Sequence, residues 1–349
     1  MRSNGGYFVG VDLGGLAVKR RIEFSELAGK VVAVDAFNTI YQFLSIIRQR
    51  DGTPLLDAQG RITSHLSGLF YRNINLLEQD IRLIYVFDGK PPTWKSKTIE
   101  DRRSVKEDAR RRWEEALKEG RLDDAKKFAQ ATSSLTPEMV DECKELLDAM
   151  GIPYVQARSE GEAEAAYLVS KGKADYAASQ DYDSLLFGSP LLLRNITVSG
   201  KRKLPGRGRF VDVFPEVISL KETLDTLGIT RQQLVWIGLL TGTDFNDGVR
   251  NIGPKKGLKL VKECTSLKEV HAKSNAQEEL SLWEEIEEFF MHPDVDDVQV
   301  SFGNMDKQKV MRIMCDNHGF STERIGNSID AYLKAKDEKY GQSKMSKWL

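Results

Sequence analysis

Seven acidic residues in this 349-residue chain could act together: Asp35, Asp88, Glu160, Glu162, Asp181, Asp183 and Asp244. Six of them follow short apolar runs. Asp35 closes VVAVD, Asp88 closes IRLIYVFD, Glu160 and Glu162 follow IPYVQ, and Asp181 and Asp183 follow DYAAS. Asp244, in LLTGTDF, follows a helical pattern and could join them. Carboxylates held within a few Å raise one another's pKa and destabilise a fold unless a cation neutralises them. Oxygen ligands without His or Cys select a hard ion such as Mg²⁺ or Mn²⁺. Two such ions about 4 Å apart suit in-line hydrolysis of a phosphodiester, steadying the attacked phosphate and the leaving oxygen.

Each residue also has a plainer reading. Asp35 and Asp181 could cap the helices that follow them. Ser159-x-x-Glu162 has the form of a capping box, and Asp88-Gly89 is a common turn pair. The metal reading therefore belongs to the group and depends on the group converging.

The elements that would bring it together are legible as alternating strand and helix signals. Strand-like runs at 30–35, 81–88, 151–157 and 174–179 are separated by amphipathic stretches, including AFNTIYQFLSIIRQ and a helix around 64–79. Short apolar strands between amphipathic helices imply an α/β fold with a parallel sheet covered on both faces. In such a sheet the C-terminal strand ends share one edge, where ligands bind. Acidic residues spread over some 150 positions are then expected to meet there.

Between Lys90 and about Leu135 the pattern changes to a long charged helical insertion, with thirteen basic and nine acidic residues from Lys90 to Lys127. The loop at 199–209 has five basic residues and none acidic. The formal net charge of −1 thus hides local fields able to attract phosphates. No apolar run is long enough to span a bilayer, and the N-terminus lacks a signal-peptide core, which leads us to expect a cytoplasmic protein. Cys143, Cys264 and Cys315 are too dispersed for a disulfide framework or a zinc site. His65, His271, His292 and His318 share no ligand spacing and read as structural or surface residues. MRSNGGYFV at residues 1–9 is unlike the remainder of the chain and reads as an extension, with Val9 an alternative start.

Five ordered segments then resemble the flap structure-specific endonucleases of the XPG superfamily of 5′ nucleases, in an archaeal form. They are VDAFNTIYQFL, VFDGKPP, SEGEAEAAYL, SQDYDSLLFG and TGTDFNDGVRNIGPKK. The resemblance implies a twisted, mostly parallel central sheet with helices on both faces, a helical arch insertion and a helix–two-turn–helix DNA-binding element. It implies 5′-flap cleavage of DNA near the single-strand/double-strand junction, with 5′–3′ exonuclease activity, in Okazaki fragment maturation and repair.

By this resemblance Asp35, Asp88, Glu160 and Glu162 serve one Mg²⁺, and Asp181, Asp183 and Asp244 a second, with Mn²⁺ able to substitute. Lys95 and Arg102 match basic residues set against the scissile phosphate. Tyr41 matches a ring stacked on a base, and Arg48 and Arg72 match phosphate contacts. Gly253, Lys255 and Lys256 fall in the duplex-gripping element, where the family holds a K⁺ ion. Trp94 and Trp113 are left between base stacking and packing at the arch base. Gln342, Met345, Trp348 and Leu349 have the spacing of a sliding-clamp-binding box, although Leu349 stands where an aromatic residue is usual.

The implied organisation is an extension at 1–9, a nuclease region at 10–135 with its arch at about 90–135, and a second nuclease region at 136–335. The latter includes the helix–two-turn–helix at about 238–262, and a flexible tail comes last at 336–349. The expected protein is a monomer, nucleoid-associated in the cytoplasm, binding branched DNA and a clamp but no membrane. The competing readings are a related nuclease acting on gaps or bubbles, and a DNA-binding clamp adaptor without catalysis.

Overall fold

Val31–Asp35 is a β-branched run buried over its last four residues, and it becomes the centre of the molecule's main sheet. The computed structural model describes residue 11 and residues 13–92, 96–197, 200–203 and 210–345, with backbone alone at 96–105, 200–203, 210–212 and 340–345. The strands are β1 (Lys19–Arg21), β2 (Val31–Asp35), β3 (Arg82–Phe87), β4 (Tyr154–Gln156), β5 (Tyr176–Ala178), β6 (Leu191–Arg194), β7 (Gly200–Lys203), β8 (Phe210–Val213) and β9 (Glu216–Ser219).

Seven of them form one sheet in the order β1-β9-β6-β5-β2-β3-β4. From β4 to β6 every pairing is parallel. Antiparallel β9 and β1 complete the far edge. The chain runs outward from β2 to β3 and β4 on one side, and returns to β5 and β6 on the other. The order therefore reverses between β2 and β5, at the switch point where open α/β sheets bind ligands. β7 and β8 pair separately as an antiparallel ribbon, so Gly200–Lys203 of the basic stretch expected as a loop is a strand.

The helices are α1 (Ala36–Ile46), α2 (Ser64–Glu78), α3 (Ser96–Lys118), α4 (Leu122–Gln130), α5 (Pro137–Met150), α6 (Gly161–Ser170), α7 (Asp183–Leu186), α8 (Leu220–Leu227), α9 (Arg231–Thr241), α10 (Pro254–Lys262), α11 (Leu267–Ser274), α12 (Leu280–Met291), α13 (Lys307–Met311) and α14 (Thr322–Met345).

Side-chain alternation divides the core. Val32, Val34, Leu83, Tyr85 and Phe87 face α1, α2, α5 and the C-terminal helices. Ala33, Ile84 and Val86 face Ala165, Leu168 and Val169 of α6. A third cluster joins Leu192 and Ile218 to α7, α9 and α12 around Trp283 and Phe290. Strands from both expected nuclease regions share this one sheet, which explains why neither region has a core of its own.

The long charged insertion is helical as expected, as α3 and α4 joined through Gly120 at φ +70°. The expected flexible tail is helical as far as Met345, because α14 continues through it. Among the described residues no helix is long and apolar enough to cross a membrane. Residues 1–9, Trp94, Lys95, Trp348 and Leu349 lie outside the described residues, as do the side chains of Arg102, Gln342 and Met345.

Candidate active site

Four strand ends deliver six of the seven carboxylates to one edge. Asp35 is the last residue of β2 and the N-cap of α1, accepting from the Asn38 N–H at 3.0 Å. The capping alternative is thus met, and Asp35 belongs to the cluster as well. Burial first, and then the charges of Asp88, Asp181 and Glu160, push its carboxyl well above the ordinary aspartate range. Asp88 follows β3 and accepts from the Gly161 N–H at 2.7 Å, at the N-terminus of α6, where the helix dipole favours a negative charge. A Cβ on Gly161 would stand 2.8 Å from Asp88 Oδ1 and 3.1 Å from the Val86 carbonyl oxygen. Glycine is what lets α6 approach the end of β3.

Glu160 is the N-cap residue of α6, which displaces Ser159 from the position that a capping box requires. Glu162 instead accepts from Ser179 Oγ at 2.7 Å. Burial, followed by Asp183, Asp35 and Asp181, raises its carboxyl well above the usual glutamate range. Asp181 accepts from Asn38 Nδ2 at 2.5 Å. It does not cap α7, whose N-cap is Tyr182, because the chain turns once more before the helix begins. Asp183 is 4% exposed and accepts from the backbone N–H of Val11 at 2.9 Å.

Asp244 lies in the turn after α9 and is not among the principal charges raising Asp35 or Glu162. Its turn is organised by Asn246, which accepts from the Thr243 N–H and hydroxyl, and by Glu278, which accepts from Asn246 Nδ2, the Asp247 N–H and Trp283 Nε1.

Among the described residues no three His, Cys, Asp or Glu side chains are gathered closely enough to hold a metal ion as they stand. The donor set nevertheless fits a hard divalent ion. It is all oxygen, and burial together with the neighbouring carboxylates raises Asp35 and Glu162. Mg²⁺ keeps several waters and takes only one or two carboxylates directly, so a closed protein cage is not required.

Tyr41 is half-buried on α1, and Lys106 Nζ of α3 lies 5.3 Å from its ring centre. The insertion helix α3 therefore reaches α1, the helix that Asp35 caps. Arg48 donates to the carbonyls of Leu44 and Gly52, each at 2.8 Å, and to Ser133 Oγ at 3.0 Å. It is an internal strut rather than one half of a surface ion pair. Arg72 is likewise partly enclosed, and burial lowers its pKa.

Trp113 donates to the Asp51 carbonyl at 3.0 Å, which resolves its two readings towards packing at the arch base. Gly253 caps α10, Lys255 is exposed, and Lys256 Nζ donates to the Asn251 carbonyl at 3.0 Å. The helix–two-turn–helix form expected near 238–262 is present as α9, an irregular link and α10. Within that link Gly248, at φ +71°, packs so tightly that a Cβ would meet Gly242 N at 2.4 Å.

The histidines are structural or peripheral. His65 Nε2 pairs with Glu142 at 2.8 Å, and His318 lies 3.8 Å from the same carboxylate. His271 packs edge-on against Trp283, and His292 pairs with Glu288 at the surface. Cys143 and Cys264 are buried free thiols, and Cys315 is partly exposed.

Residue-by-residue reading missed Asn38, Ser179, Gly161 and Glu278. The first three lie within or beside the acidic motifs, so their place in those motifs was an available signal. Glu278 carries no local signal, because its partners Asn246 and Asp247 are some thirty residues away.

Comparison with known proteins bears on the family and the fold. Residues 14–109 match the XPG N-terminal domain, and residues 151–244 match the XPG I-region. Flap endonuclease 1 of Methanococcoides burtonii is 51% identical over 323 residues, covering 92% of this chain and 95% of the relative. Flap endonuclease 1 of Pyrococcus abyssi is 50% identical over 329 residues, covering 94% and 95%. Among solved structures, flap endonuclease-1 from Methanococcus jannaschii aligns with a TM-score of 0.74 at 40% identity, over 95% of this chain and 100% of that one. The catalytic core of Rad2 in complex with DNA substrate, at 24% identity and a TM-score of 0.66, shares the fold.

Proposed function

The chain belongs to the XPG nuclease family as a structure-specific flap endonuclease, and from that premise we propose that it hydrolyses 5′-flap DNA near the junction using two Mg²⁺ ions. Divalent-metal dependence follows from the family and its fold. The observation that carries the two-ion reading is the convergence of Asp35, Asp88, Glu160, Glu162, Asp181 and Asp183 at the sheet's switch point, where burial and then their charges raise Asp35 and Glu162.

In this reading Asp35, Asp88, Glu160 and Glu162 hold the first ion, and Asp181, Asp183 and Asp244 hold the second, with Mn²⁺ an acceptable replacement. Bound there, the ions supply Lewis-acid stabilisation of the scissile phosphate and leaving oxygen. The protein's own share is geometric. Asn38, Ser179, and the Gly161 and Val11 N–H groups each fix one carboxylate through a hydrogen bond. An ionised carboxylate can accept several hydrogen bonds or bind an ion through either oxygen, so such a bond is compatible with metal binding.

We assign Lys95 and Arg102 to charge developing on the phosphate, and Tyr41 to a base beside the site. Arg48 and Arg72 are assigned to phosphate contacts. The α9–α10 element would grip the duplex through Gly253, Lys255 and Lys256, with a K⁺ ion in its turns. The C-terminal box would dock on a sliding clamp, and the enzyme would act as a monomer on chromosomal DNA in the cytoplasm.

A 5′-labelled double flap incubated with Mg²⁺ or with EDTA tests the core of this. Cutting at the junction is expected with Mg²⁺ only, and more slowly on bubble and blunt substrates. Asp181→Ala is expected to bind the flap without cutting it. Wild-type cutting by that variant would overturn the metal assignment.

A further inference from the structure

The turn that carries Asp181 and Asp183 is held by one guanidinium from the neighbouring strand. Arg194 ends β6, and its side chain is only 16% exposed. Its Nε donates to the Gln180 carbonyl at 3.0 Å, and its Nη1 donates to the Tyr182 hydroxyl at 2.5 Å. The guanidinium carbon also lies 4.3 Å from the centre of the Tyr182 ring, and Lys19 Nζ of β1 lies 5.4 Å from the same centre. Tyr182 is 3% exposed, and in sequence it stands between the two aspartates. Glu216 faces Arg194 across the β6–β9 ladder but is 4.0 Å away, so the short bonds are those to the turn.

A planar guanidinium can fix two acceptors in one rigid fork, which an ammonium group cannot. The two aspartates of the turn are anchored in different places: Asp181 to Asn38 of α1, and Asp183 to the backbone of Val11. A small rotation of the turn would therefore misplace both carboxylates together.

We infer that Arg194 is a positioning residue for the cleavage reaction, setting the direction of the Asp181 and Asp183 carboxylates by clamping Gln180 and Tyr182. This rests on the proposed two-metal reading of the site. Groups that orient metal ligands from behind commonly change metal affinity or activity by about 10- to 100-fold when removed.

The test is single-turnover cutting of a 5′-labelled double flap as a function of Mg²⁺ concentration, with flap affinity measured separately in EDTA. Arg194→Met is expected to raise the half-saturating Mg²⁺ concentration about tenfold, with flap affinity kept within about twofold of wild type. Arg194→Lys, which keeps the charge but loses the fork, should fall between the two, and Tyr182→Phe should shift in the same direction.

A role in folding alone would lower the melting temperature and the active fraction while leaving the half-saturating Mg²⁺ concentration unmoved, and that result would overturn the inference. Loss of flap affinity with unchanged metal dependence would overturn it too, by placing Arg194 on the DNA. If Arg194→Met does not fold, Arg194→Lys and Tyr182→Phe give the same readout. Asp181→Ala, run alongside, separates the two levels. Cutting by Asp181→Ala sinks the two-metal reading. An inactive Asp181→Ala beside Arg194 variants of normal metal dependence sinks only the role of Arg194.

Discussion

Asp35 combines two roles that usually fall to different residues, since it caps α1 and also faces Asp88, Asp181 and Glu160. Burial and those charges raise its carboxyl, and burial with Asp183, Asp35 and Asp181 raises Glu162. Both groups therefore hold protons more tightly in the folded than in the unfolded chain. By linkage, their contribution to stability is least unfavourable when protonated and becomes a penalty as pH rises through their raised folded range. Asparagine can still accept the Asn38 N–H as an N-cap, so Asp35→Asn removes the charge and leaves the cap. In EDTA this variant is expected to melt higher than wild type near neutral pH, with the advantage shrinking as pH falls, and to lose cutting. A lower melting temperature than wild type at neutral pH would refute the repulsion argument. Gly161 tests the spacing: the Cβ of Gly161→Ala would press on Asp88 Oδ1 and the Val86 carbonyl. Overpacking of this kind costs about 1–3 kcal/mol, and a loss of cutting greater than the loss of folded protein is the expected kinetic result.

At the scale of elements, the arch shows how a highly charged helix pair can be ordered. Among the described side chains its buried positions include Ala109, Ala116, Ala125 and Ala129, small residues that let α3 and α4 approach closely, while most of the charged residues from 107 to 127 are exposed. Trp113 and Gly52 fasten its base. Gly52 lies at φ +90°, and a Cβ there would meet Ala129 Cβ at 2.6 Å. Trp113→Ala removes the bond to the Asp51 carbonyl and a half-buried ring. It is expected to loosen the arch by about 2 kcal/mol, less than a full core aromatic truncation. Limited proteolysis within 106–130 should then quicken, while the melting temperature of the sheet domain changes little. The two antiparallel strands beyond β6 are hard to read from sequence because they lack apolar length. β1 is three residues long and wholly exposed, and β9 comes directly after a hairpin, so neither offers the long apolar run that marks β2 and β3.

At the scale of the whole molecule, a net charge of −1 is compatible with DNA binding because its cations are placed locally. Lys255 and Lys256 stand at the start of α10, beyond the Gly253 cap, where helix N-terminal N–H groups also favour phosphate. Lys255→Ala with Lys256→Ala is expected to weaken flap binding evenly across sequences and to reduce the slope of log affinity against log salt by about 2. An unchanged slope, measured by titration at several ionic strengths, would remove this element from the DNA path.

The identity of the acidic residues, their order along the chain and their attachment to strand ends were all determined by sequence. Strand and helix signals are local, and a parallel sheet sends its strand ends to one edge whatever lies between them. Tertiary structure decided what each carboxylate touches. Asp181 meets Asn38 across 143 positions, Asp183 meets Val11 across 172, and Asp88 meets the head of α6 across 73. It also excluded the capping box at Ser159 and placed Arg194 behind the Asp181–Asp183 turn. Hydrogen bonds at such separations depend on how strands are ordered in space, and local propensity carries no record of that order.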